Sequence, residues 1–149
     1  MRRFMRGVAA VEFAIVLIPL LLLGFGITEF GRAIYSYNTL TKSVRDSARY
    51  LTSKTPGDPT AHAAAKCLAV YGNTGCAGSP LAPGLTTGMV QTCDTILGCA
   101  GVENTLTTGT GTINTVTVLI NGYPYDSVVE FVMPDLTFGN IAITMRSQL

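Results

Sequence analysis

From Val8 to Ile27 the chain reads VAAVEFAIVLIPLLLLGFGI, and Glu12 is the only ionisable residue in that run. At about 1.5 Å per residue a helix of this length covers roughly 30 Å, the thickness of a bilayer's hydrocarbon core. The run is long for a secretory h-region, which is typically about 7–15 residues. Pro19 removes a backbone donor in the middle of it, and Gly24 and Gly26 weaken the helix further, so these three positions mark a kink that membrane helices tolerate. Charged residues make up only 13% of the 149-residue chain, against about 25% in an ordinary soluble domain. Mean hydropathy is +0.39. The length leaves room for one small domain besides the apolar segment. A net charge of +1 argues against a broad nucleic-acid surface.

Glu12 is the anomaly. A carboxylate at the centre of a bilayer costs about 2.5–3.5 kcal/mol even on insertion scales, so it implies a role and a partner. The plainer reading is that Glu12, five residues into the run, snorkels to the headgroups. Orientation is not settled by positive charge, because Arg2, Arg3 and Arg6 precede the run and Arg32, Lys42, Arg45 and Arg49 follow it. All four cysteines follow it too, which favours an oxidising exterior for the C-terminal domain and a cytoplasmic N-terminus.

The first seven residues, MRRFMRG, form a short basic leader ending in Gly7. A cut between Gly7 and Val8 makes Glu12 the fifth residue of the new chain. Basic leader, Gly, four small or apolar residues, Glu and an aromatic together resemble a class III type IV prepilin processing site. The following EFGRAIYSYNTLTKSVRDSARY sharpens this: residues 7–52 resemble the TadE-like family of the tight-adherence (Flp) pilus system, and TVTVLINGYPY and IAITMRSQL within 113–149 are similar to it as well. Residues 55–112 carry nothing of the family pattern. The resemblance implies a minor pilin or pseudopilin, a cell-adhesion and biofilm component, with a leader (1–7), a spine helix (8–54, of which 8–30 is transmembrane) and a head (55–149). It implies subunit assembly through Val8, Glu12 and Phe13, with the new amine at Val8 pairing with Glu12 of a neighbour. Each charge would be costly if buried alone. The implied partners are the membrane, other pilin subunits, a prepilin peptidase, and a pilus assembly platform with its ATPase. The implied location is the bacterial inner membrane, single-pass, with the N-terminus cytoplasmic and the head periplasmic, or extracellular once in a pilus.

Beyond the apolar run, Tyr37, Leu40, Val44, Ala48 and Leu51 recur at helical spacing, with Ser, Lys, Arg and Asp assigned to the other face. Glu29 and Arg32 read as an i,i+3 pair, and Tyr35 and Tyr37 as interfacial anchors. Pro56-Gly57 ends the spine. DPTAHAAAKCLAVYGN predicts a second helix capped by Asp58, opened by Pro59 and stopped by Gly72, with Ala63, Lys66, Cys67 and Val70 along one side and the whole set against the spine. Residues 113–120 alternate as a half-buried strand, and Asn121-Gly122 is a turn signal, although the family pattern lets the strand run on to Tyr125. Phe138 to Met145 reads as another strand with Ile141, Ile143 and Met145 on one face. A third is placed at Met89 to Thr95, and SVVEFVMPDL reads as an apolar connection with Pro134 near its end, a short helix lying on the sheet edge or on the membrane. The sum is an α+β fold: a long spine helix with a small antiparallel sheet head.

Cys67, Cys76, Cys93 and Cys99 allow three disulfide connectivities. Nearest-neighbour pairing closes the shortest loops. The spacings of 9, 17 and 6 contain no CxxC, so disulfides are favoured over zinc. His62, the only histidine, reads as a surface residue without an acidic neighbour. Asp58, Asp94, Glu103, Asp126, Glu130 and Asp135 lie scattered without metal-ligand spacing. There is no GxSxG, P-loop or HExxH. No catalytic residue, cofactor, metal or small-molecule substrate is expected. The competing reading is a signal-anchored periplasmic binding or enzyme domain that enters no filament.

Overall fold

The helix that starts in the apolar run does not stop where the run ends. A computed structural model describes residues 4–148, so that Arg2 and Arg3 of the expected leader lie outside them. Its first element, α1 (Phe4–Leu51), is 48 residues of unbroken α-helix passing through Pro19, Gly24 and Gly26, about 70 Å in all. It ends three residues before the expected boundary at 54. There the Thr52 and Ser53 hydroxyls turn back to the carbonyls of Arg49 and Tyr50, and Pro56 bars the preceding residue from helical geometry.

One face of α1 is buried from Ala33 on, through Leu40, Val44, Ala48 and Leu51. Two corrections apply. Tyr37 stands about half exposed at the edge of this face, and Ser43 and Ser47, assigned to the polar face, lie inside. The second helix, α2 (Pro59–Tyr71), explains Ser47: its hydroxyl donates 2.6 Å to the carbonyl oxygen of Ala65. So close an approach needs small side chains, and the buried stripe of α2 is Ala61, Ala65 and Ala69 with His62 and Val70. Of the residues grouped along one side, Val70 is buried, Lys66 and Cys67 are partly covered and Ala63 is exposed. The caps are as anticipated. The Asp58 carboxylate accepts from the Thr60 N–H, Pro59 opens the helix, and Gly72 closes it at φ 72°.

The sheet is antiparallel throughout. Its strands are β1 (Val90–Cys93), β2 (Thr105–Thr108), β3 (Gly111–Ile120) and β6 (Ile141–Arg146), with a separate two-residue pair, β4 (Pro124–Tyr125) and β5 (Leu136–Thr137). The long β3 is the centre. Its first part pairs with β2 (Thr108 opposite Gly111), and its second part pairs with β1 on one side (Val90 opposite Ile120) and β6 on the other (Ile120 opposite Ile141). Being central, β3 is buried from Thr115 to Ile120 on both faces rather than half-buried. Val116, Val118 and Ile120 join the hydrophobic core, and on the other face the Thr117 hydroxyl sits 2.8 Å from that of Thr144 and 3.1 Å from the Asn104 amide oxygen. In β6, Ile141, Ile143 and Met145 point inward as expected, while Phe138 precedes the strand and packs among aromatic rings. The chain leaves the sheet after Ile120, with Gly122 at φ 63°. Residues 127–134 form no helix: the N–H groups of Val132 and Met133 both donate to the carbonyl of Val129 in a tight turn bracketed by β4 and β5. A turn rather than a helix follows from Pro134 and the short span between two paired strands.

Candidate functional site

Residues 7–25 contact almost nothing else in the chain. All are exposed but Leu17, which is partly covered. Val8, Phe13, Ile15, Val16, Ile18 and Leu20 point outward around the whole circumference. A helix apolar on every side and unpartnered belongs in an apolar medium or against other helices. Among the described residues α1 is the one helix long and apolar enough to cross a membrane. Gly7, Val8, Glu12 and Phe13 all lie in this free segment, and the fold brings no part of the head to them. Glu12 is one turn from Val8, on the same face of the helix.

The head closes on α1 at a collar around Glu29. This side chain is only 2% exposed. Its Oε1 accepts from Arg32 at 2.7 Å, from the Tyr125 hydroxyl at 2.8 Å and from the Val128 N–H at 3.2 Å, while Oε2 accepts a second contact from Arg32 at 3.0 Å. The guanidinium lies 5.9 Å from the centre of the Tyr125 ring. The pair read as an i,i+3 contact is thus the knot between α1, just past its apolar run, and the loop after β4. Phe138 backs it, with its ring 5.6–5.7 Å from those of Tyr37, Tyr123 and Tyr125, so Tyr37 serves the head as well as the surface. The only advance signal was the pairing of EFGR with NGYPY in one chain, and nothing in their spacing says that they meet.

A second polar knot corrects the reading of His62. It is buried, with Nε2 2.8 Å from Asp94 Oδ2 and Nδ1 2.8 Å from the Thr92 hydroxyl. Asp94 also accepts from the N–H groups of Gly57 (2.6 Å), Ile96 (2.8 Å) and Leu97 (2.6 Å). Burial alone would raise its pKa. The three backbone donors and His62 outweigh burial and hold it at about 2. Hydroxyl, imidazole and carboxylate stand in the order of a hydrolase relay. Here, however, the carboxylate carries four donors and the hydroxyl is nearly covered in mid-strand, which makes the group a staple between the α1–α2 turn, α2 and β1. The disulfide Cys93–Cys99 closes the loop around Asp94, and Cys67–Cys76 ties the end of α2 to the loop after it. All four cysteines are paired, in the nearest-neighbour connectivity. Among the described residues no group of three or more His, Cys, Asp or Glu is placed to hold a metal ion.

A single long helix, free and apolar in its first half and carrying a small α+β head on its second, defines the class: an anchored, helix-borne head domain. Residues 7–49 match the family model for TadE-like proteins, the stretch on which the sequence resemblance rests. The match covers under a third of the chain and leaves α2 and the sheet outside it. No curated protein and no solved structure matches the chain.

Proposed function

We propose that this chain is a minor pilin or pseudopilin of a tight-adherence pilus, a structural subunit rather than an enzyme. The observation that carries the reading is the free segment of α1, apolar on all sides and bearing one carboxylate, within the stretch that matches the TadE-like family. In this reading a prepilin peptidase cuts between Gly7 and Val8 on the cytoplasmic side, and the subunit waits in the inner membrane with its head in the periplasm. An assembly platform driven by its ATPase then moves the subunit into a filament. Helices that pack side by side in lipid gain no hydrophobic drive from doing so, so packing and polar pairs supply the specificity. The Val8 amine and Glu12 of a neighbour form such a pair, and a slip of one turn separates them. Pro19, Gly24 and Gly26 give the helix a place to bend or stretch as it leaves the bilayer.

The test is the intact mass and N-terminal sequence of the protein extracted from its host membrane, together with a Glu12→Ala variant. A chain beginning at Val8, with Glu12→Ala cleaved but absent from surface fibres, supports the proposal. An intact leader in the presence of active peptidase, and indifference to Glu12→Ala, favour instead an anchored periplasmic domain.

A further inference from the structure

The collar leaves one feature unexplained. The turn between β4 and β5 carries Val128 and Phe131 at 73% and 89% exposure, the latter the most exposed large apolar side chain among the described residues. A lone exposed apolar residue needs no explanation, but two on one tight turn, beside a third held against an apolar helix, form a patch. The third is Val132, whose Cγ1 lies 3.4 Å from where a Cβ on Gly26 would be. Gly26 is one residue from the end of the apolar run and Glu29 two residues past it, so the turn, which touches both, meets the helix where that run ends. Val132 and α1 share an open apolar groove with Leu22, Leu23, Ile27 and Phe30, so the surface of the turn continues that of the helix. The turn is also held in place. Val128 donates its N–H to Glu29, and Ser127 donates its N–H to Asp135 at 2.9 Å.

We propose that this turn is a second membrane contact, with Val128, Phe131 and Val132 entering the headgroup region of the leaflet from which α1 emerges. The inference rests on the reading of α1 as a membrane span. The partner is the apolar part of a lipid surface and not a particular headgroup. Asp126, Glu130 and Asp135 give the loop no basic attraction to anionic lipid, so the contact is driven by apolar area. Continuity with the span favours lipid over a second protein chain.

The sequence contains no tryptophan, so single replacements report one site each. The full chain is reconstituted into phosphatidylcholine nanodiscs carrying lipids spin-labelled at shallow or deep positions. Three variants are compared: Phe131→Trp on the turn, Leu22→Trp in the span, and Thr110→Trp on the β2–β3 hairpin, exposed and beyond the far end of α1. The expected result is emission from F131W shifted to the blue of T110W and quenched most by the shallow label, with L22W quenched most by the deep one. Solvent-like, unquenched emission from F131W beside a quenched L22W overturns the inference and leaves the span intact. An unquenched L22W removes the span and the inference with it. A blue shift of F131W that grows with the number of chains per disc and is not quenched by labelled lipid overturns the inference in favour of a second copy of the chain.

Discussion

Glu29 shows how a charge is kept inside a small protein. Removed from water, it would be costly alone, and the fold gives one oxygen three donors drawn from three places in the sequence. Tyr125→Phe deletes one of them and leaves the ring in place, so head stability should fall by about 1.5–3 kcal/mol, the scale of a hydrogen bond to a charged group. Denaturant unfolding in detergent measures the loss, and faster amide exchange at Val128 locates it. Asp94 makes a pH prediction. Its folded pKa of about 2 lies below the unfolded value of 3.8, so its contribution is fully present above about pH 4 and is lost as pH falls toward 2. Integrated over that shift it amounts to about 2 kcal/mol. Asp94→Asn should flatten this part of the acid-stability profile. Of the two knots, only the Glu29–Arg32 pair was legible in the sequence. Glu29 and Tyr125 are 96 residues apart and His62 and Asp94 are 32 apart, and periodicity says which side of an element faces inward, not which polar groups meet there.

Elements were easier to read than contacts, for a physical reason. The apolar run, the Asp58–Pro59 start of α2 and its Gly72 stop are local signals, and the backbone obeys them. The β2–β3 hairpin escaped notice because TLTTGTGT is exposed on both faces and shows no alternation to read. The turn at 127–134 misled because Val128, Val129, Phe131 and Val132, broken only by Glu130, look like the apolar face of a short helix, whereas the backbone makes a tight turn that leaves Val128 and Phe131 exposed. At the same scale, the disulfide Cys93–Cys99 spans only six residues, yet it encloses the turn that feeds Asp94 its Ile96 and Leu97 donors. Reduction should therefore cost more than the short loop alone suggests. We expect a loss of about 3–4 kcal/mol, against about 2 from closing the short loop alone, together with increased amide exchange at Ile96 and Leu97, and the Cys93→Ser/Cys99→Ser pair should reproduce both effects.

Across the whole molecule, the free and the packed halves of α1 divide the labour. Because residues 7–25 contribute so little to the head, a chain beginning at Thr28 should fold into a water-soluble unit. Its unfolding free energy should match that of the full chain in detergent to within about 1 kcal/mol, given that Glu29 and its donors are retained. Circular dichroism and gel filtration check this. A truncation that aggregates or melts early would mean that the head depends on the anchor. The order of anchor, helix and head followed from hydropathy and spacing alone. What the free segment packs against did not, since no part of this chain covers it.

The head packs along α1 from Ala33 to Leu51, and polar contacts fix both ends of that seam, Tyr125 and Val128 on Glu29 at the lower and the Gln148 N–H on the carbonyl of Thr52, just past the helix and 2.8 Å away, at the upper. These points are roughly 35 Å apart along the rod. A beam pinned at both ends passes on torque as well as tension. A quarter-turn or a few ångströms of lift applied to the buried half of the helix would therefore arrive at the far side of the head without slack, and the first part to give way would be the free shaft around Pro19.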